Sequence, residues 1–190
     1  FRLNGKAYER NALDLTAQQW AVNANEEQQA LGHFLMNWLS DDEHIALRTS
    51  GSTGKPKEIQ MPKTAMYASA VRTAAFFNLS DGDSALLCLP IRYIAGKMML
   101  VRALVLGLHL DIIPPKTKLH IEKDYTFAAL IPLQANASFE VLGRFKTVLI
   151  GGAPIPTDLR KRISKKHKHC IETFGMTETL THVATRVVSD

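Results

Sequence analysis

No stretch of this chain approaches the ~20 consecutive apolar residues that a membrane-spanning helix needs. The greasiest segment, 98–110, carries Arg102 and His109. The N-terminus, FRLNGKAYER, lacks the apolar core of a signal peptide, and no methionine initiates it. Cysteine is scarce. Cys88 and Cys170 both lie in apolar segments and neither belongs to a C-x-x-C pair. That excludes a disulfide-stapled miniprotein and fits reduced core thiols in a cytoplasmic setting. There is no internal repeat and no low-complexity tract. With 46% hydrophobic and 22% charged residues, the composition is that of a globular protein. A disordered chain and a collagen-like fibre are excluded, and 190 residues make about one domain.

The net charge of +5 has a local origin. The run RKRISKKHKH, residues 160–169, holds six Lys/Arg and no acid; without those six cations the balance would fall to −1. A run of this kind is ordinarily the solvated face of a helix. A nucleic-acid-binding protein using 160–169 is the alternative from another class. It predicts binding that weakens steeply with salt. No aromatics interleave with the run, which argues against a stacking groove. His167 and His169 stand two apart, on different faces of a helix, and no second ligand cluster accompanies them, which argues against a metal site there.

Helical patterning appears at 26–39, where Leu31, Phe34, Leu35 and Trp38 fall at i, i+3, i+4 and i+7. It recurs at 63–78, at 96–106 with Gly107 as a stop, and at 157–168 with Leu159 and Ile163 on one face. Strand-like runs occupy 84–90, 108–113, 127–132, 147–152, 169–175 and 181–188. Several are continuously apolar, as strands covered on both faces are. The pattern predicts an α/β fold with a largely parallel sheet flanked by helices. Ligands in such folds gather beyond the carboxyl ends of the strands. The informative loops are then those after Pro90, Pro132, Gly151 and Phe174.

The chemistry concentrates in LRTSGSTGKPKEIQMPK, residues 47–63. Thr49, Ser50, Ser52 and Thr53 supply hydroxyls, Gly51 and Gly54 allow positive φ, and Lys55 and Lys57 flank the stiffening Pro56. Free N–H groups in such a loop form an anion-binding concavity, and charged donors strengthen the hold on phosphate oxygens. A Walker A loop fails here. Lys55 is followed by Pro56, and Thr49 stands where the first glycine belongs. Ser52-Thr53-Gly54-Lys55 fits the S-x-x-K of serine acyl-transferases, but the S-D-N and K-T-G partners do not occur. A plain flexible turn leaves two lysines and four hydroxyls in nine residues unexplained.

TSGSTGKPKE resembles the phosphate loop of the acyl-adenylate-forming superfamily, the acyl-CoA synthetases and luciferases, with its pattern T-S-G-[ST]-T-G-x-P-K-G. IETFGMTET, residues 171–179, is similar to that family's aromatic-G-x-T-E segment. LPIRYIAG (89–96), FAALIPLQ (127–134) and VLIGGAPIP (148–156) lie between them in the family's order. The resemblance covers residues 45 to 190. RYIAGKMM and the short N-terminal region are most similar to the branch that joins O-succinylbenzoate to CoA in menaquinone synthesis.

The resemblance implies a large N-terminal domain, here residues 1–190, that binds nucleotide and acyl group. It implies ATP, Mg2+ and CoA as cofactors or co-substrates, and a small-molecule carboxylate as partner. Thr49, Ser50, Gly51, Ser52, Thr53, Gly54, Lys55 and Lys57 would hold the β- and γ-phosphates, and Lys57 would act in catalysis. Thr177 would bond the α-phosphate and Glu178 would be the magnesium carboxylate. Read without the family, Glu178 is an acid near an apolar strand end, suited to a salt bridge. Gly151, Gly152 and Ala153 would lie flat against adenine, with Glu172, Thr173 and Phe174 on its other face. Arg92 and Tyr93 replace the family's aromatic-His pair, and Arg92 with Lys97 would read a second carboxylate. Gln134, Gly175, Met176, Thr181 and His182 complete the pocket candidates. Glu58 replaces a customary glycine. The family's ribose Asp, hinge motif and C-terminal catalytic Lys do not occur, so the chain reads as part of a longer enzyme whose mobile C-terminal domain lies outside it. Oligomeric state is not legible.

Overall fold

In a computed structural model, residues 1–23, 25–48, 57–180 and 182–188 are described. Among them, eight strands form one sheet. In chain order these are β1 (Arg2–Leu3), β2 (Lys6–Ala7), β5 (Ser84–Leu87), β6 (His109–Ile112), β7 (Tyr125–Leu130), β8 (Phe145–Ile150), β9 (Cys170–Gly175) and β10 (His182–Val187). Their spatial order is β10-β9-β8-β7-β5-β6-β1-β2. The run from β9 to β1 is parallel throughout, and only the two edges, β10 and β2, pair antiparallel. A separate hairpin pairs β3 (His44–Arg48) with β4 (Glu58–Pro62).

The helices are α1 (Arg10–Ala21), α2 (Glu26–Leu39), α3 (Lys63–Phe77), α4 (Ile94–Leu106), α5 (Pro132–Ala137) and α6 (Thr157–Lys166). Their ends follow local chemistry. Asn25 caps α2 by accepting from the Gln28 amide at 3.0 Å, and Glu26 and Glu27 suit its positive end. Asn78 and Gly107 close α3 and α4 in the left-handed conformation.

Side chains alternate across the sheet with period two. Ala85, Leu87, Phe127 and Leu149 face a core shared with α1 to α4. Leu86, Cys88, Ala128, Leu130, Val148, Ile150 and Cys170 face the other core, closed by Leu159 and Ile163 of α6. Both faces are covered, which is why the central strands hold unbroken apolar runs such as 85–89 and 127–131. The two cysteines are free and buried.

Two features near the N-terminus were not expected from the sequence. β1 and β2 are two residues each, too short for a periodic signal. In α1 the buried positions Leu13, Ala17 and Ala21 are mostly alanine, so the apolar stripe is faint. Among the described residues, no helix is long and apolar enough to cross a membrane.

Candidate active site

From β5 the chain crosses through α4 to β6 on one side, then returns past β5 to β7 and proceeds to β8 and β9 on the other. Strand order therefore reverses around β5. The crevice beyond the carboxyl ends at such a reversal is where open α/β sheets bind ligands. The loops that meet there follow Leu87, Leu130, Ile150 and Gly175.

Two cavities open at this edge and meet at Gly152, Thr173 and Gly175, which line both. The larger, about 490 Å³, runs from Gly152–Pro154 along Glu172–Gly175 to Arg186 of β10. The smaller, about 150 Å³, lies under α4. Glycine is needed at the junction. A Cβ on Gly151 would sit 2.3 Å from Thr173 Oγ1, and Gly152 has φ +82°. The Gly151 amide donates to the Leu130 carbonyl at 3.1 Å, so the turn is fixed to β7. Phe174 stands 62% exposed over the larger cavity, offering a ring face for stacking.

Glu172 lines that cavity together with its ion-pair partner Arg186. Its carboxylate accepts from Arg160 Nη2 at 2.7 Å and from Arg186 Nε at 2.5 Å. Burial pushes its pKa up, but the hydrogen bonds and charges of the two arginines outweigh this and hold it below the ordinary carboxylate value. A depressed pKa stabilises the fold above the unfolded value near 4.5, and that stability is lost as pH falls through the lowered folded value. Arg186→Met should therefore lower the melting temperature at pH 7, and the deficit should shrink as pH falls through the lowered folded value. Melting curves across pH check this; a deficit independent of pH would deny the clamp.

The smaller cavity is lined by a buried cation. Arg102, in the middle of α4, is 4% exposed and lines it, with Leu89, Met98 and Leu180 as apolar walls. Its Nε donates to Thr73 Oγ1 at 3.4 Å, and Thr73 donates to the Ser69 carbonyl at 3.0 Å. Burial pulls the guanidinium pKa down to about 10. His182, on the same cavity, is lowered to about 4, first by burial and then by the charge of Arg102.

A short 3-10 turn, Thr177–Thr179, carries Thr177 and Glu178 past the junction. Thr179 Oγ1 accepts from the Met176 amide and donates to the Met176 carbonyl, both at 3.0 Å. Leu180 is buried with φ +66°, a conformation that a leucine rarely adopts. The turn is thus pinned at both ends, and Glu178 projects to solvent with no ion pair among the described residues.

Thr49, Ser50, Gly51, Ser52, Thr53, Gly54, Lys55 and Thr181 lie outside the described residues. The strands that flank the 49–56 segment are paired up to Arg48 and Glu58, with Lys57 exposed beside them. Lys97, half-buried near the start of α4, has its pKa lowered by burial and then by the charge of Arg48, so the end of β3 lies within electrostatic range of α4.

Other expected pocket residues are placed differently. Arg92 and Tyr93 are exposed and stack on each other, guanidinium to ring centroid 5.0 Å, and neither lines the two cavities. Gln134 is a buried internal clasp. Its amide donates to the carbonyls of Cys88 at 2.8 Å and Lys116 at 3.1 Å, and its oxygen accepts from the Ile131 amide. Both donors are thereby used. The basic run forms α6, where Arg162 lies 4.2 Å from the Phe139 ring and Lys166 pairs with Glu140. Arg102 was not singled out as a site residue. Its one signal was a cation inside a greasy helix.

Residues 10–190 match the family model of AMP-binding enzymes. The 2-succinylbenzoate–CoA ligase of Bacillus anthracis is 29% identical over 148 residues, 72% of this chain and 31% of that protein. The chain thus spans about a third of the length of the curated relatives it matches. An acyl-CoA synthetase (AMP-forming)/AMP-acid ligase II-like protein from Dyadobacter fermentans superposes with TM-score 0.80 at 33% identity, covering 92% of this chain and 53% of that one. The O-succinylbenzoate coenzyme A synthetase MenE of Bacillus subtilis, solved with ATP and magnesium ion, superposes with TM-score 0.62 over 75% of this chain and 32% of that one. At 23% identity it bears on the fold alone.

Proposed function

This chain belongs to the AMP-binding enzyme family, and on that premise we propose that it supplies the nucleotide- and acyl-binding region of a ligase that joins O-succinylbenzoate to CoA. One observation carries the reading: a cavity with a paired carboxylate and an exposed aromatic ring meets one with a buried guanidinium at Gly152, Thr173 and Gly175. The larger, with exposed Phe174 and the acceptor Glu172, suits an adenine ring with its exocyclic amine. The smaller, with buried Arg102, suits an acyl group that carries a second carboxylate.

In the first step the substrate carboxylate oxygen attacks the α-phosphorus of ATP, the bond to the β-phosphate oxygen breaks, and pyrophosphate leaves. In the second the CoA thiol gives up its proton, sulfur attacks the acyl carbon, and AMP leaves. In-line displacement at phosphorus is mostly positioning and charge neutralisation. The clasped turn follows Gly175 and Met176, which line the smaller cavity, so Thr177 would offer its hydroxyl to the α-phosphate, and Lys57 with the 49–55 segment would face the departing pyrophosphate. Magnesium supplies neutralisation of the phosphate charge, and the solvent-facing carboxylate of Glu178 suits a hard cation that keeps most of its waters. The accompanying setting is the cytoplasm and menaquinone synthesis.

A ligase for another aryl or fatty acid is the near alternative, and the charge on Arg102 favours the dicarboxylate. ATP–pyrophosphate exchange by the full-length protein separates them. Exchange should depend on O-succinylbenzoate, with benzoate and hexanoate giving little. Equal exchange with the monocarboxylates would move the assignment to the broader class.

A further inference from the structure

A third cavity, about 340 Å³, lies on the other side of Leu89 from the acyl cavity. It opens between the end of α1, the start of α2 and the segment after β6, with Trp20, Leu31, Ile112 and Pro114 among its walls. Leu89 lines both cavities, and it is 7% exposed. The two chambers differ in charge. Arg102 is on the acyl side and Glu27 is on the far side.

The wall that separates them is held from both directions. The Ile91 amide donates to Glu27 Oε2 at 3.3 Å, tying the 88–93 segment to α2. From the other side, α4 presses on it so closely that a Cβ on Gly96 would sit 2.3 Å from the Pro90 carbonyl oxygen. The Pro90 carbonyl also accepts from the Tyr93 amide at 3.2 Å. A segment fixed at Pro90, Ile91 and Gly96 has little freedom to withdraw Leu89 when a large acyl group arrives.

We propose that Leu89 is a specificity-determining partition: it caps the acyl cavity at the size of a short dicarboxylate and shuts off a ready-made apolar chamber. The proposal rests on the ligase reading above. With the partition cut back, the joined space takes acids with a long apolar tail. A second carboxylate is kept on the Arg102 side, because Glu27 repels it from the far chamber. A single methylene in such a wall is worth roughly 10- to 200-fold in discrimination.

The test uses full-length protein, Leu89→Ala, and the milder Leu89→Val in case the larger deletion fails to fold. The probe is 4-pentylbenzoate. In ATP–pyrophosphate exchange the variants should gain about tenfold or more in kcat/KM for it over wild type. Trp20 lines the far chamber and gives a second readout. Titrating 4-pentylbenzoate should change tryptophan emission in the variants, not in wild type, and the change should vanish in a Leu89→Ala/Trp20→Phe protein. Folded variants that keep the wild-type acid profile and a silent Trp20 would overturn the partition. If wild type exchanges with no acid at all, the ligase reading fails, and the Trp20 titration alone still decides whether Leu89 divides the two chambers.

Discussion

Glu178→Gln should cut adenylate formation by about two to three orders of magnitude, the loss seen when one electrostatic stabiliser of a transition state is removed. It should also raise the magnesium concentration needed for half-maximal rate. The substitution leaves the turn intact. The clasp is made by Thr179 and Met176, and Leu180 anchors the far end. Glu178 is exposed, so stability should change by less than about 0.5 kcal/mol. The expected signature is thus a full-strength fold with a displaced magnesium curve, read by circular dichroism and by pyrophosphate exchange over a magnesium series. A folded variant with wild-type magnesium dependence would remove Glu178 from the metal site.

The layered fold was legible because each burial pattern had one physical cause. Strands covered on both faces must be apolar, and the stretches 85–87, 127–130 and 148–150 of β5, β7 and β8 are. Gly107 marked a helix end because the left-handed position after α4 disfavours a Cβ. The hairpin β3–β4 was not legible as strands. His44–Arg48 buries only Ile45 and Leu47, and Glu58–Pro62 has no fully buried residue, so its pairing shows in backbone hydrogen bonds more than in composition. The first helix hid for a related reason, since alanine buries little area and leaves little periodic signal.

At the site, backbone chemistry was easier to read than side-chain reach. Gly151 and Gly152 announced close approach, and the structure supplies the neighbour in Thr173. The cation for a second carboxylate was sought at Arg92, beside the loop, because that is where the sequence departs from the family pattern. The side chain there turns to solvent and stacks on Tyr93. Arg102 lies ten residues further on, a little over two turns into α4, where the helix brings it onto the smaller cavity. Only three-dimensional placement distinguishes a cation that faces a cavity from one that snorkels to the surface. The arginines on Glu172 come from α6 and β10, and no local spacing joins three such residues.

Arg102→Met is the sharper test of the substrate. If the guanidinium reads the second carboxylate, O-succinylbenzoate should lose roughly ten- to hundredfold in apparent affinity, the equivalent of ~1.5–3 kcal/mol for a buried charged hydrogen bond. A matched monocarboxylate should lose little. Methionine keeps an unbranched stem in this buried position, and a thermal melt checks that the variant folds. His182 then separates recognition from mere packing. Its pKa, about 4, is lowered by burial and by the Arg102 charge, so removing that charge should raise it. The unfolded histidine takes up its proton near 6.5, and the folded one resists until about 4, so wild type loses stability as pH falls through that window. In the variant the window narrows and the acid loss shrinks. An imidazole titration by NMR and melting curves between pH 7 and pH 4 read both effects. Equal losses for the two acids, with an unmoved His182, would remove Arg102 from the acyl site.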